Sequence, residues 1–138
     1  HKMAVVEEII RVEKDGSISF GNHKLSVKTK VSDFEYAGDL YKVKTYNKIT
    51  KLEKNGLFIY ESVPGTSVND MSLTENGMEF TADASTDAQI TVELMSSTEY
   101  TLYIDGVNAG TTTSNLSGKV MLSISASDRP TKVKIVKA

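Results

Sequence analysis

A chain of 138 residues with a net charge of −2, from 16 Lys and Arg against 18 Asp and Glu, is the size of one domain and can bury a core without staples. It has no cysteine, which excludes disulfides, thiolate metal sites and a cysteine nucleophile, and its two histidines are too few for a histidine metal cluster. The balanced charge argues against nucleic acid as a partner, and no apolar run is long enough to span a membrane.

His1 reads as a tag remnant ahead of a natural start at Met3. The stretch MAVVEEII lacks the basic start and long apolar core of a secretory signal, so the expected address is the cytoplasm. From Val5 to Glu13 the run VVEEIIRVE offers both helical and alternating spacings. Its β-branched content and the following Asp15-Gly16 turn favour a strand. Apolar Val5, Val6, Ile9 and Ile10 in a terminal strand predict an oligomer interface, because such a strand seldom stays uncovered.

Ser17 to Phe20, Lys24 to Val31 and Asp33 to Tyr36 read as short strands, and Gly38-Asp39 as the corner into Leu40 to Tyr46. In that last strand Tyr41, Val43 and Thr45 share a core-like face, while Lys42, Lys44 and Tyr46 share the other. Asn55-Gly56 between apolar runs is the signature of a type I′ hairpin. Pro64-Gly65 then marks the expected boundary between residues 1–65 and 66–138, since proline removes a ladder donor and glycine permits a sharp change of direction.

Beyond it the rhythm is regular. Ser67 to Thr74, Met78 to Ala82, Ala88 to Met95, Glu99 to Asp105, Val107 to Thr113, Lys119 to Ser125 and Thr131 to Lys137 alternate apolar and polar residues and turn at Asn76-Gly77 and Asp105-Gly106. The expectation is an all-β protein: an antiparallel β-sandwich of about seven strands in the C-terminal part, with an N-terminal β-rich layer or subdomain. The core expected from the second half is Met78 or Phe80, Ile90, Val92, Leu94, Tyr100, Leu102, Ile104, Val120, Leu122, Ile124, Val133 and Ile135.

Reactive groups are scarce. His23, in Gly21-Asn22-His23, is the one candidate base for a hydrolytic triad, and no G-x-S-x-G elbow accompanies it. The glycines fall singly at turns, never as a phosphate loop. Glu79, Glu93, Glu99 and Asp105 are the carboxylates from which a small glycosidase would draw its pair. Asp83, Asp87, Asp105 and Asn108 lack calcium-loop spacing, so no metal or other cofactor is expected. Among six tyrosines, Tyr103 and Tyr46 point away from the expected core. Tyr103, with Thr101 and Asp105 beside it, is the better sugar platform.

Charge is uneven, with eleven Lys and Arg against nine Asp and Glu in residues 1–64 and five against nine in residues 65–138. Lys24, Lys28, Lys30, Lys42, Lys44, Lys51 and Lys54 could track a polyanion, but edge-strand lysines that keep sheets apart account for them more simply.

The runs DGSISFGNHKL, DFEYAGDLYKVKTYNKITKLEKNGLFIYESVPGT, DAQITVEL, EYTLYIDGVNAG and NLSGKV resemble a group of small uncharacterised all-β bacterial proteins, some of which carry the label endosialidase. The sialidases of the propeller families hold the sugar carboxylate with three arginines, where this chain has Arg11 and Arg129. What the resemblance implies is therefore a sugar-binding or chaperone-like part of a larger enzyme. The function expected is a non-enzymatic binding or assembly module that works through sheet surfaces and edges, as a homo-oligomer. A carbohydrate-binding module with a glycan partner is the alternative, and a small glycosidase a further one.

Overall fold

The computed structural model describes residues 5–138, so His1 and the start at Met3 lie outside them. Among the described residues the regular elements are all strands: β1 Ile10–Val12, β2 Ile18–Phe20, β3 Thr29–Tyr36, β4 Asp39–Tyr46, β5 Ile49–Lys54, β6 Leu57–Val63, β7 Ser67–Thr74, β8 Gly77–Asp83, β9 Ala88–Glu93, β10 Glu99–Ile104, β11 Val107–Thr113, β12 Lys119–Ile124 and β13 Thr131–Lys137. They form two antiparallel sheets packed face to face. Sheet A has the order β1-β2-β7-β8-β13-β10-β11, and sheet B the order β12-β9-β6-β5-β4-β3.

Local chemistry explains the corners. Ala37-Gly38, Asn55-Gly56 and Asp105-Gly106 each place two successive residues at positive φ, 53° and 85°, 53° and 77°, 51° and 81°. That pair of left-handed residues defines the type I′ turn, whose twist matches paired strands. The first corner lies one residue before Gly38-Asp39, because Asp39 already pairs with Tyr36 in the ladder. Residues 21–28 form a loop rather than the start of a strand, and β3 then runs unbroken to Tyr36 with a bulge at Asp33, φ 57°.

The N-terminal strand is shorter than its β-branched composition suggests. Ile9 sits at φ 74°, held there as its N–H donates to Val6 and its carbonyl accepts from Gly21, so β1 begins only at Ile10. Val6, Ile9 and Ile10 are buried in the chain's own core, with Val5 half-buried beside them. The apolar terminus is thus covered from within.

Pro64-Gly65 is where the chain crosses from sheet B to sheet A, through a cis Val63–Pro64 bond. Gly65 has no room for a side chain, since a Cβ there would overlap the Tyr46 carbonyl oxygen. The crossing does not coincide with a division between the sheets. β6 pairs with β9 and β2 with β7, so each sheet draws strands from both sides of the proline.

One apolar cluster fills the space between the sheets. At its centre the Tyr60 ring of sheet B meets Phe20 and Phe80 of sheet A edge-on, with centroids 5.3 and 5.5 Å away. Met78, Phe80, Ile90, Val92, Tyr100, Val120, Leu122, Ile124, Val133 and Ile135 are buried, as their alternation predicts. Leu94, just past β9 of sheet B, and Leu102 and Ile104, on β10 of sheet A, are only partly buried.

Candidate functional site

Beside the crossing lies a buried polar network. Thr50 Oγ1 donates to the Thr66 carbonyl at 2.6 Å and accepts the Thr66 N–H at 3.1 Å. Its single proton is then spent, so Thr45 Oγ1, 2.8 Å away, donates to it and accepts from the Asn22 N–H. The Thr66 hydroxyl in turn meets Tyr60 Oη at 2.7 Å and Ser62 Oγ at 2.8 Å. Desolvation raises the Tyr60 phenol far above its ordinary range, which keeps it a neutral donor.

His23 adjoins this network. Ser67 Oγ accepts the His23 N–H at 3.2 Å and lies 2.6 Å from His23 Nδ1. His23 Nε2 faces the Asp83 carboxylate at 3.8 Å, which favours the ring proton on Nε2 and leaves Nδ1 to accept from the Ser67 hydroxyl. No local pattern announces this row, because Ser67 and Asp83 come from strands 44 and 60 positions away. Its sense is the reverse of a hydrolytic triad, in which Nε2 faces the serine, and Ser67 is fully buried. These groups seal the crossing and present no nucleophile to a substrate.

On the outer face of sheet A the register sets Tyr103 of β10 beside Lys134 of β13, and Lys134 beside Glu79 of β8. Together with Lys132, Val136 and Gly106 these line a shallow hollow of about 390 Å³. Thr101 shares the face, next to Val136. Asp105 does not join them as a ligand group: its carboxylate caps the Lys132 N–H at 2.9 Å and its residue holds the corner at φ 51°. Tyr46 lies on sheet B, 6.0 Å from Lys28 Nζ, so the two tyrosines belong to different sheets and share no platform.

Nor are the four carboxylates brought together. Glu79, Glu99 and Asp105 belong to sheet A, while Glu93 is on sheet B, paired with Lys119 at 3.2 Å. Among the described residues no group of three or more His, Asp or Glu is placed to hold a metal ion.

The outer face of sheet B is basic. Lys30, Lys44 and Lys51 stand directly opposite one another on β3, β4 and β5, and with Lys42 and Glu53 they line a hollow of about 140 Å³. Sequence reading found these lysines but not their alignment. The signal was the Asn47-Lys48 turn, which fixes Lys44 opposite Lys51.

The sheets end in four edges, and three are charged or cut short. β3 carries Lys30, Asp33 and Glu35 and a bulge, β1 has only three residues, and β12 carries Lys119. The fourth, β11, is seven residues, VNAGTTT, without a charge, and every residue but Thr112 is exposed. Its one interruption is a bulge at Ala109-Gly110 opposite Leu102, where Asn108 Oδ1 accepts the Gly110 N–H at 2.8 Å. Among the described residues it is hydrogen-bonded to β10 alone. Val107, 68% exposed, lies opposite the half-buried Ile104. Comparison with protein-family models, curated proteins and solved structures found no match, so the functional reading rests on these surfaces.

Proposed function

We propose that the protein is a non-enzymatic binding and assembly module that self-associates through the edge strand β11. The observation that carries this reading is the edge itself: seven uncharged residues that, among the described residues, have no strand on their outer side, with the Gly110 N–H held by Asn108 at the bulge. Such an edge is a template for another strand, and two copies pairing antiparallel about a two-fold axis satisfy both ladders at once. Pairing would also cover Val107 and the partly exposed Ile104 and Leu102. The interface expected from Val5, Val6, Ile9 and Ile10 loses its rationale, because three of the four are already buried.

Light scattering on the full chain tests the proposal. The expected result is a dimer or larger species at micromolar concentration, converted to monomer by Thr111→Lys with Thr113→Lys while the far-ultraviolet spectrum stays that of a folded sheet protein. A monomer throughout, or association indifferent to those lysines, overturns it.

A second reading, a carbohydrate-binding module, is supported by the hollow beside Tyr103. A ring flanked by Glu79, Lys132 and Lys134 offers an apolar face and polar groups for sugar hydroxyls. It predicts a specific hit on a glycan array that Tyr103→Ala weakens, and a blank array argues against it.

A further inference from the structure

The basic face of sheet B is not explained by edge protection. Of its lysines only Lys30 lies on an edge strand, because β4 and β5 are interior to the sheet. Lys44 is the centre of the arrangement, with Lys30 opposite on one side and Lys51 on the other. Like charges directly opposite on neighbouring strands destabilise a sheet. Neighbouring strands are about 4.8 Å apart, so three ammonium groups on flexible stems can meet over one hollow. Lys42, two residues from Lys44 on the same strand and face, adds a fourth. The acid lining this hollow is Glu53, whose carboxylate lies 3.4 Å from Lys51 Nζ, and the row ends at Glu61 opposite Lys51. Four lysines against Glu53 and the flanking Glu61 still leave a positive surplus that a dense anion would neutralise.

We propose that this face binds a linear phosphate polymer, independently of self-association at β11. Three features favour condensed phosphate over other polyanions. The cations lining the hollow are all lysines, point charges that suit phosphate oxygens without the bidentate fork of arginine. The two aromatics of this face, Tyr46 and Phe58, each have a lysine over the ring, Lys28 and Lys119, and neither lines the hollow, so stacked nucleobases find no row of open platforms. A phosphate chain carries a charge on every unit with no sugar ring between them, so a short run of it can meet several clustered lysines at once.

Titration calorimetry of the full chain with linear polyphosphate, at about 50 and about 200 mM salt, tests this. Binding is expected at the lower salt and is weakened at the higher. Lys44→Gln with Lys51→Gln should weaken it about tenfold or more and flatten the salt dependence, since fewer counterions are displaced. Removing mutually repelling charges leaves that variant folded, which circular dichroism checks. Lys132→Gln with Lys134→Gln, on the opposite sheet, should leave affinity unchanged. Absence of binding at the lower salt overturns the proposal. So does equal weakening by the sheet A variant, or a single-stranded oligonucleotide or sulfated polysaccharide of matched charge binding as tightly as polyphosphate.

Discussion

His23 is a buried, neutral imidazole whose pKa is lowered from the ordinary 6.5, chiefly because burial disfavours the charged ring. Asp83 pulls the other way, and Lys24 adds a further lowering. The unfolded chain takes up this proton as pH falls through about 6.5, whereas the folded chain takes it up only at lower pH. Between those points the unfolded state binds more protons, so stability falls as pH falls below about 6.5 and holds above it. Urea midpoints measured from about pH 7.5 down to about pH 5.5 should decline through that window. In His23→Asn, whose amide oxygen can accept the Ser67 hydroxyl in place of Nδ1, the decline should be smaller. A slope identical in both proteins would assign the pH dependence to other groups. Tyr60 makes the other test at this scale. Tyr60→Phe keeps both edge-on ring contacts and leaves Thr66 bonded to Ser62, so urea unfolding should report a loss of only about 1 to 2 kcal/mol.

Among the strands and turns, the two kinds of glycine separate what local conformation requires from what packing requires. Gly38 sits at φ 85° with open space where a Cβ would go, so Gly38→Ala costs only the strain of a left-handed alanine, about 1 kcal/mol. Gly65 has no positive φ to maintain, yet its Cβ would overlap the Tyr46 carbonyl oxygen, and the crossing backbone would have to move. Gly65→Ala should cost about 3 kcal/mol, and unfolding free energies of the two variants in the reverse order would contradict this account.

The same contrast marks what the sequence makes legible. Each corner at positive φ and each alternating run is written in neighbouring residues, which is why β7 and β10 to β13 fall within a residue of where alternation places them. Tyr103 and Lys44 were likewise assignable to an outer face by counting in twos. Pairing between distant strands follows no local signal. The His23, Ser67 and Asp83 row exists because β2 lies beside β7 and β7 beside β8. The strand expected from Val5 is interrupted at Ile9 for a related reason. Its left-handed backbone is imposed by Val6 and Gly21, against the preference of a β-branched residue.

For the molecule as a whole, the interleaved sheets make the Pro64-Gly65 crossing a poor place to cut. Residues 66–138 alone would keep β9 without β6 and β7 without β2, and would lose Tyr60 and Phe20, leaving Phe80 as the one remaining ring of the cluster. Residues 1–65 would keep β3 to β6 with only the two three-residue strands β1 and β2 of sheet A left to cover Val43, Leu52 and Tyr60. Each large apolar side chain returned to water forfeits about 1.5 to 3 kcal/mol, and a domain of this kind holds only about 5 to 15 kcal/mol in all. Losing three or four buried partners is therefore enough to abolish folding of either piece. The two fragments expressed separately should each lack a sigmoidal thermal transition and give poorly dispersed amide spectra. Mixed together, they should recover the dispersion of the intact chain, because every strand pair but the covalent crossing can re-form. A folded, cooperatively melting fragment 66–138 would mean that β7 to β13 close a sandwich unaided, and that the N-terminal strands are an addition to the core and not half of it.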